Sequence, residues 1–174
     1  LAALSELADG DRVVVGSGAS LVASLGATVP GLRTFPALQG AREPIPSTPA
    51  DLWIWRRGDD RGTLYHDARR VGAALGAAFA LAESVDAFRH GSGLDLTGYE
   101  DGTENPQGAD AVAAAIASGR GVDGSSFVAV QKWLHDFAQF ERMSGEQQDL
   151  SIGRRRSDNE EIADAPASAH TRRT

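Results

Sequence analysis

The amino-acid sequence predicts an α+β fold built from βαββαβ units with antiparallel sheets. Three observations support this prediction. Short β-branched and aromatic runs alternate with segments of helical periodicity, glycines and prolines mark the turns between them, and the elements follow the order helix, strand, strand, helix, strand. This order is most of one βαββαβ unit without its first strand. The next strand signal would open a second unit, so we expect a fragment that is incomplete at both ends.

The predicted elements are short as far as residue 55. Leu1, Leu4 and Leu7 recur at helical spacing, and valines dominate the run after the Asp9-Gly10-Asp11 turn. Five of the seven prolines fall between residues 30 and 49, so this stretch should be mostly irregular. We predict a helix tail over 1–8, a strand over 12–16, a short helix over 21–25 and a strand over 52–55.

The rest of the chain contains the longest predicted helix and the strongest strand signal. The alanine-rich run 64–82 has helical spacing, whereas 126–134 is dense in residues that favour strands. Glycines keep 91–108 irregular. We further predict a strand over 82–89, helical pieces over 137–143 and 145–152, and a polar, acidic tail. The first unit would occupy residues 1–108 and the start of the second unit residues 109–174.

Composition excludes several classes of function. The 174 residues include no cysteine, which rules out disulfides, iron–sulfur clusters and thiolate chemistry. A net charge of −7 argues against non-specific nucleic-acid binding, which needs a basic surface. No run reaches the roughly 18 apolar residues of a membrane helix, and the first residues do not resemble a signal peptide. We expect a protein with no nucleic-acid or membrane partner, compatible with the cytoplasm.

One loop carries a carboxylate in an unusual setting. In Thr97-Gly-Tyr-Glu-Asp101-Gly102-Thr-Glu-Asn-Pro106, glycines stand on both sides of Asp101 and permit a tight turn close to a ligand. Neighbouring hydroxyl, amide and backbone N–H groups could hold an anionic group. The alternative is a plain acidic turn, which composition alone favours, because Asp-Gly and Asn-Pro are common in turns.

Two further segments contain candidate residues. Arg154 follows a predicted helix end at Ile152 and could pair bidentately with a carboxylate, whereas the run Arg154-Arg-Arg156 could equally be a solvated turn with local ion pairs. His170 taken singly would usually be a surface residue. The other histidines, at positions 66, 90 and 135, share no metal-ligand spacing, and the sequence has no P-loop or nucleophile elbow.

The ordered series of these motifs resembles one known family. Gly98-Tyr-Glu-Asp-Gly102 is similar to the GxxDG signature of the dye-decolourising peroxidases, and Asp-Gly-Thr-Glu-Asn-Pro resembles their bacterial members. The segments Phe127 to His135, Met143-Ser, Ile152-Gly-Arg154 and Ser168-Ala-His170 follow in that family's order. The resemblance extends from about Gly10 to Thr174 and is closer after Gly91.

The resemblance implies a fold, a cofactor and a set of site residues. The family fold is a pair of ferredoxin-like βαββαβ units of the dimeric α+β barrel type, with haem b bound through iron. His170 would be the proximal iron ligand, and Asp101 would be the catalytic acid–base residue on the distal face. The other residues expected at the haem are Gly102, Thr103, Glu104, Ile152 and Arg154, with Arg154 near a propionate.

The implied activity is reduction of hydrogen peroxide coupled to one-electron oxidation of dyes, phenols and similar aromatic donors. Surface relay is conceivable at aromatic residues that are otherwise core or interface residues: Trp53, Trp55, Trp133, Tyr65 and Tyr99. Alternatives are a non-catalytic haem-binding or delivery protein, or cargo of an encapsulin nanocompartment. We expect a homo-oligomer located in the cytoplasm or inside such a compartment.

The sequence departs from the family pattern near His170. The family also uses a distal arginine that follows the proximal histidine, and this sequence continues for four residues past His170. Arg172 and Arg173 lie too close to that ligand to reach the opposite haem face. The resemblance therefore places the distal arginine and the carboxylate partner of His170 beyond Thr174, and we expect the segment alone to be inactive.

Overall fold

Short antiparallel strands lie among the first helices, and a run of helices follows them, in the computed structural model, which describes residues 2–40 and 43–173. The longest element is a helix of 15 residues. The elements are α1 (Ala2–Leu7), β1 (Val13–Ser17), α2 (Ala19–Ser24), β2 (Leu38–Gln39), β3 (Pro44–Ile45), β4 (Leu52–Arg56), α3 (Arg61–Leu75), α4 (Gly108–Ala115), α5 (Phe137–Phe140), α6 (Gly145–Ile152) and a 3₁₀ turn (His170–Arg172).

Strands β1 and β4 form the main antiparallel pair. Their register places Val13 opposite Arg56 and Ser17 opposite Leu52. The β-branched run of β1 and the tryptophan-rich run of β4 suit a half-buried pleated surface, and Val13 is buried. The strands predicted over 12–16 and 52–55 are therefore confirmed. A second pair joins β2 to β3, and the other described residues of 30–49 are irregular.

Helix α3 is fixed to β4 by a buried carboxylate. Asp60 caps the helix by accepting a 2.6 Å hydrogen bond from the Thr63 N–H. About two turns after the cap, the buried Asp67 pairs with Arg56 of β4 and with Arg70 of its own helix. These contacts, with the buried Val71, anchor the face of α3 that turns toward the sheet.

Three predicted elements differ from the structure. Helix α3 ends at Leu75, not Ala82, because glycine follows at position 76 and the alanines beyond it pack against little. The predicted strands 82–89 and 126–134 are wrong, since neither segment has a ladder partner among the described residues. Their apolar side chains are exposed, including Phe88, Trp133 and Leu134. A strand signal records side-chain type but does not supply the partner that makes a strand.

The helices after residue 107 are short, and side chains cap the starts of α5 and α6. Asp136 accepts a 2.9 Å hydrogen bond from the Gln139 N–H at the start of α5. Ser144 and Gln147 form a capping box at the start of α6. The helical pieces predicted there are confirmed, whereas α4 was not predicted. Within the described part of the chain no helix is long and apolar enough to cross a membrane.

Contacts divide the chain into two compact units. The first consists of Leu1–Val85 with Val112–Ala129, and the second of Asp86–Ala111 with Val130–Thr174. The predicted division at residue 108 concerns the two βαββαβ units of the fold and stays a prediction.

Candidate functional site

All seven predicted site residues lie in the second compact unit. Three elements carry them: the glycine-framed loop, the end of α6 and the 3₁₀ turn near residue 170. The residues are Asp101, Gly102, Thr103, Glu104, Ile152, Arg154 and His170.

The glycine-framed loop, residues 93–105, is ordered by its own hydrogen bonds. The Asp95 carboxylate accepts bonds of 2.8 Å from the Thr97 N–H and 3.1 Å from the Tyr99 N–H. The Asp101 N–H donates to the Gly93 carbonyl at 3.2 Å, which closes the loop. The Asp101 side chain remains exposed. The loop therefore holds the backbone of Asp101 and presents its carboxylate to solvent.

Gly102 makes the turn after Asp101 possible. Its φ of +74° lies in the left-handed region, and a Cβ here would stand 2.5 Å from Asn105 Nδ2. The Asn105 N–H in turn donates to the Gly102 carbonyl at 3.0 Å. Any other residue at position 102 would strain the turn and displace Asn105.

Tyr99 anchors this loop to the rest of the unit. Its side chain is 4% exposed, its ring meets Phe140 edge-on, and the Arg156 guanidinium lies 4.6 Å above the ring centre. Its hydroxyl donates a 2.6 Å hydrogen bond to Asp149 Oδ1. Burial, reinforced by that bond to a carboxylate, raises the pKa of Tyr99 to about 12. Tyr99 is therefore a neutral, fixed anchor at ordinary pH.

Arg154 joins the same loop to the segment after α6. Its side chain is 12% exposed and pairs with Glu104, while its Nη1 donates to the Asn159 carbonyl at 2.8 Å. Asn159 adopts a left-handed conformation with φ +60° and donates from Nδ2 to Thr103 Oγ1 at 2.8 Å. The structure thus brings together three of the predicted residues, Thr103, Glu104 and Arg154.

His170 is positioned through its neighbours. Gly153, at the left-handed end of α6, has no side chain, and a Cβ there would overlap the Thr171 hydroxyl. Arg172 donates to the Ala163 carbonyl at 2.7 Å, and Ala169 is fully buried. These contacts hold the one-turn helix from both sides, and the His170 side chain is exposed.

The arginine run Arg154-Arg-Arg156 divides into three different environments. Arg155 pairs with Asp158 and Glu160, as the interpretation of local ion pairs predicts. The Glu160 N–H, and then the Arg155 guanidinium, lower the pKa of Asp158. Arg154 and Arg156 instead contact the loop that carries Asp101. The run is therefore partly a solvated turn and partly a structural joint.

Sequence reasoning missed Asp149 and Asn159 and considered Tyr99 only as a relay. The Tyr99–Asp149 partners are 50 residues apart, so no local spacing reveals the contact. The other histidines show no shared site; His135, for example, stacks on Phe137. In residues 2–40 and 43–173, no group of three or more histidine, aspartate or glutamate side chains could hold a metal ion by itself.

Comparison with known proteins gives a consistent family. Residues 92–174, which include every predicted site residue, match the family model "Dyp-type peroxidase, C-terminal". A dye-decolorizing peroxidase of Mycobacterium tuberculosis is 36% identical over 143 residues, 80% of this chain and 43% of that protein. Its counterpart in Rhodococcus erythropolis is 35% identical over 144 residues, 80% of this chain and 42% of that protein.

Solved structures agree. A variant of Rhodococcus jostii DypB in complex with heme superposes with a TM-score of 0.82 at 32% identity, covering 98% of this chain and 58% of that one. The dye-decolorizing protein from V. cholerae gives 0.82 at 26% identity, covering 98% and 60%. The chain belongs to the dye-decolourising peroxidase family, and its predicted α+β fold class is confirmed. It spans less than half the length of the curated relatives it matches.

Proposed function

We propose that the protein carrying this chain is a haem-dependent peroxidase that reduces hydrogen peroxide and oxidises dyes, phenols or similar one-electron donors. The observation that supports this most directly is that one compact unit carries two exposed side chains of suitable chemistry, Asp101 and His170. The Asp101 carboxylate projects from a loop held by its own hydrogen bonds, and the His170 imidazole projects from a turn held on both sides.

The chemistry of the available donors suits haem. An iron bound by protein groups alone would need several ligands converging on one point, and no such cluster exists in the described residues. A porphyrin brings nitrogen ligands of its own and would need one further donor from the protein, which a neutral histidine could provide. His170 would hold the iron. When bound, haem supplies the metal at which peroxide is cleaved and through which donors lose electrons.

Asp101 acts on the proton of the peroxide. Cleavage of the O–O bond requires a base that takes a proton from one peroxide oxygen and returns it to the other, which leaves as water. An exposed carboxylate on a closed loop can do both without moving the backbone. Gly102 allows the tight turn that follows Asp101, because a side chain at this position would collide with Asn105.

The remaining predicted residues shape the edge of the site. Thr103 and Glu104 are held by Asn159 and Arg154, and Ile152 is the last residue of α6. Arg154 already pairs with Glu104, so a haem propionate at Arg154 would share or replace that carboxylate. Of the proposed haem contacts, the one between Arg154 and a propionate therefore depends most on rearrangement, because an existing ion pair must change.

Assembly and location also belong to the proposal. The apolar side chains of 127–134 are exposed, which supports the proposal that a second copy or further chain covers this segment in the assembled protein. We propose a homo-oligomer in the cytoplasm or inside an encapsulin shell. Size-exclusion chromatography with light scattering, with and without co-expressed shell protein, tests both statements.

Absorption spectroscopy of the purified protein tests the cofactor assignment. We expect the spectrum of a histidine-ligated ferric haem at one haem per chain. His170→Ala should abolish that ligation, whereas the matched His90→Ala, an exposed histidine in the same unit, should leave it intact. Unchanged iron ligation in His170→Ala would contradict the assignment.

Reaction with one equivalent of peroxide separates the peroxidase from a haem-storage or delivery protein. A peroxidase should consume the peroxide within seconds and then oxidise an added phenol or dye. A binding protein should retain its resting spectrum and oxidise no donor under the same conditions.

A further inference from the structure

Asp149 touches both segments that carry the proposed haem-site residues. Its carboxylate oxygen Oδ1 accepts a 2.6 Å hydrogen bond from the Tyr99 hydroxyl and a 3.1 Å bond from the Arg156 backbone N–H. Its backbone carbonyl accepts a 2.7 Å bond from the Gly153 N–H. One residue of α6 thus contacts the loop before Asp101 and fixes the segment that follows the helix.

On the Asp101 side, the connection runs through Tyr99. This residue is buried, whereas Glu100 and Asp101 next to it are exposed. Because the Asp101 N–H is bonded to Gly93 within the same closed loop, a shift of Tyr99 would move the loop as a body. The place of the Asp101 carboxylate is therefore set by where Asp149 holds the tyrosine.

On the His170 side, the Asp149 carboxylate holds the Arg156 N–H and so fixes the segment that begins at Gly153, the last backbone donor of α6. The Ile162 N–H donates to the Gly153 carbonyl at 2.9 Å, so the segment after α6 folds back on its own start. Gly153 lies so close to Thr171 that a Cβ would overlap its hydroxyl oxygen, which is buried and has no hydrogen-bond partner within the described residues. A shift of Gly153 would therefore press directly on the residue after His170.

We propose that Asp149 is a positioning residue that sets the Asp101 loop and the His170 turn relative to each other. This inference rests on the proposed function for its catalytic consequence. Asp149 does not touch the reacting atoms in this account. It acts through Tyr99 on one side and through the Gly153–Arg156 segment on the other.

Amide hydrogen exchange of the purified protein without haem tests the structural part. Asp149→Leu removes the acceptor and keeps the branching of the side chain, and Asp149→Asn keeps an oxygen that can accept both bonds. We expect Asp149→Leu to speed exchange about two- to tenfold, the size of a net hydrogen bond, in both 93–105 and 169–173. Asp149→Asn should stay within twofold of wild type. Faster exchange in one segment only, or equally throughout the protein, would overturn the proposal.

Peroxide kinetics of the haem-loaded protein test the catalytic part. Asp149→Leu should lower the rate of reaction with peroxide about 10–100-fold, the scale of a misplaced catalytic group, while the histidine-ligated spectrum persists. Asp149→Asn should recover most of the rate. If Asp149→Leu does not fold, Tyr99→Phe replaces it and should slow the reaction with faster exchange in 93–105; Tyr65→Phe, on α3, is its control. A wild-type rate in the variant whose exchange increases would overturn the proposal.

Failure of the proposed function and failure of the positioning role of Asp149 give different results. A wild-type protein that binds no haem would overturn the proposed function, and the exchange comparison would still decide whether Asp149 holds both segments. A protein that binds haem through His170 and turns over normally in Asp149→Leu would overturn only the positioning role.

Discussion

Arg154 pairs with Glu104, a residue 50 positions earlier and three after Asp101. The arginine side chain is largely buried and the glutamate largely exposed, at 12% and 83% exposure. The contact joins the segment after α6 to the glycine-framed loop. In this contact Glu104 binds the Arg154 guanidinium, the group that the family resemblance assigns to a haem propionate.

A double-mutant cycle measures this pairing. Because Glu104 is solvated, we expect Glu104→Gln and Arg154→Met, each of which removes one charge of the pair, to show a coupling of about 0.5–1.5 kcal/mol in urea unfolding. The matched pair Arg155–Glu160 is local and more exposed on the arginine side, and its coupling should be smaller. Equal coupling free energies in the two pairs would show that the partial burial of Arg154 does not strengthen its ion pair with Glu104.

Gly153→Ala should destabilise the protein and disturb the His170 turn. The glycine has φ +94°, and an added methyl group would overlap the Thr171 hydroxyl. We expect a loss of about 1–3 kcal/mol in the free energy of unfolding, with altered haem ligation. Gly145→Ala is the control, since a Cβ there meets nothing within 4 Å in the first turn of α6. Comparable effects at the two glycines would contradict the close-approach argument.

The raised pKa of Tyr99 predicts a loss of stability in alkali. A tyrosine in the unfolded chain titrates near pH 10, whereas Tyr99 in the folded protein titrates near 12. Between these values unfolding releases a proton, so stability falls as pH rises, by up to about 2–3 kcal/mol. Below pH 10 the contribution is fully present. Denaturant unfolding at several pH values should show this slope in wild type and its absence in Tyr99→Phe.

A spectrophotometric titration checks the same group directly. The chain has two tyrosines, so Tyr65→Phe leaves Tyr99 as the sole phenolate signal. Asp149→Leu in that background should lower the pKa of Tyr99, because the carboxylate that stabilises the neutral hydroxyl is gone. An unchanged titration would mean that burial alone sets the pKa.

The sequence predicted what local patterns determine. The paired strands around Val13 and Trp53 follow from β-branched and aromatic runs, and α6 follows from its capping box. The glycines around Asp101 predicted an irregular loop there, and the structure has one. Tyr99–Asp149 could not be predicted, because the partners meet only after α6 packs beside the loop.

The segment 126–134 illustrates the opposite error. Its composition is typical of a strand, yet it has no ladder partner in the part of the chain that the structure describes, and Trp133 and Leu134 are 73% and 89% exposed. The composition of this segment gives it side chains that favour burial, but whether they are buried in a sheet depends on a partner strand.

These exposed side chains predict the behaviour of the 174-residue chain expressed alone. It should self-associate and bind a hydrophobic dye, because the exposed apolar side chains and the unpaired backbone of this segment favour contacts between chains. Val130→Lys should reduce both effects, whereas Val112→Lys, an exposed valine on α4, should reduce them less. A monomeric chain that binds no dye would contradict this expectation.

The most direct test of the central claim is the rate at which the haem-loaded protein reacts with stoichiometric hydrogen peroxide in a stopped-flow spectrometer. Asp101→Ala should slow the reaction about 10²–10⁴-fold, the usual size of a general acid–base contribution, at normal haem content. Asp110→Ala, an exposed carboxylate in the first turn of α4, should react like wild type. An Asp101→Ala rate within a few-fold of wild type would contradict the account and leave Asp101 with no role in proton transfer.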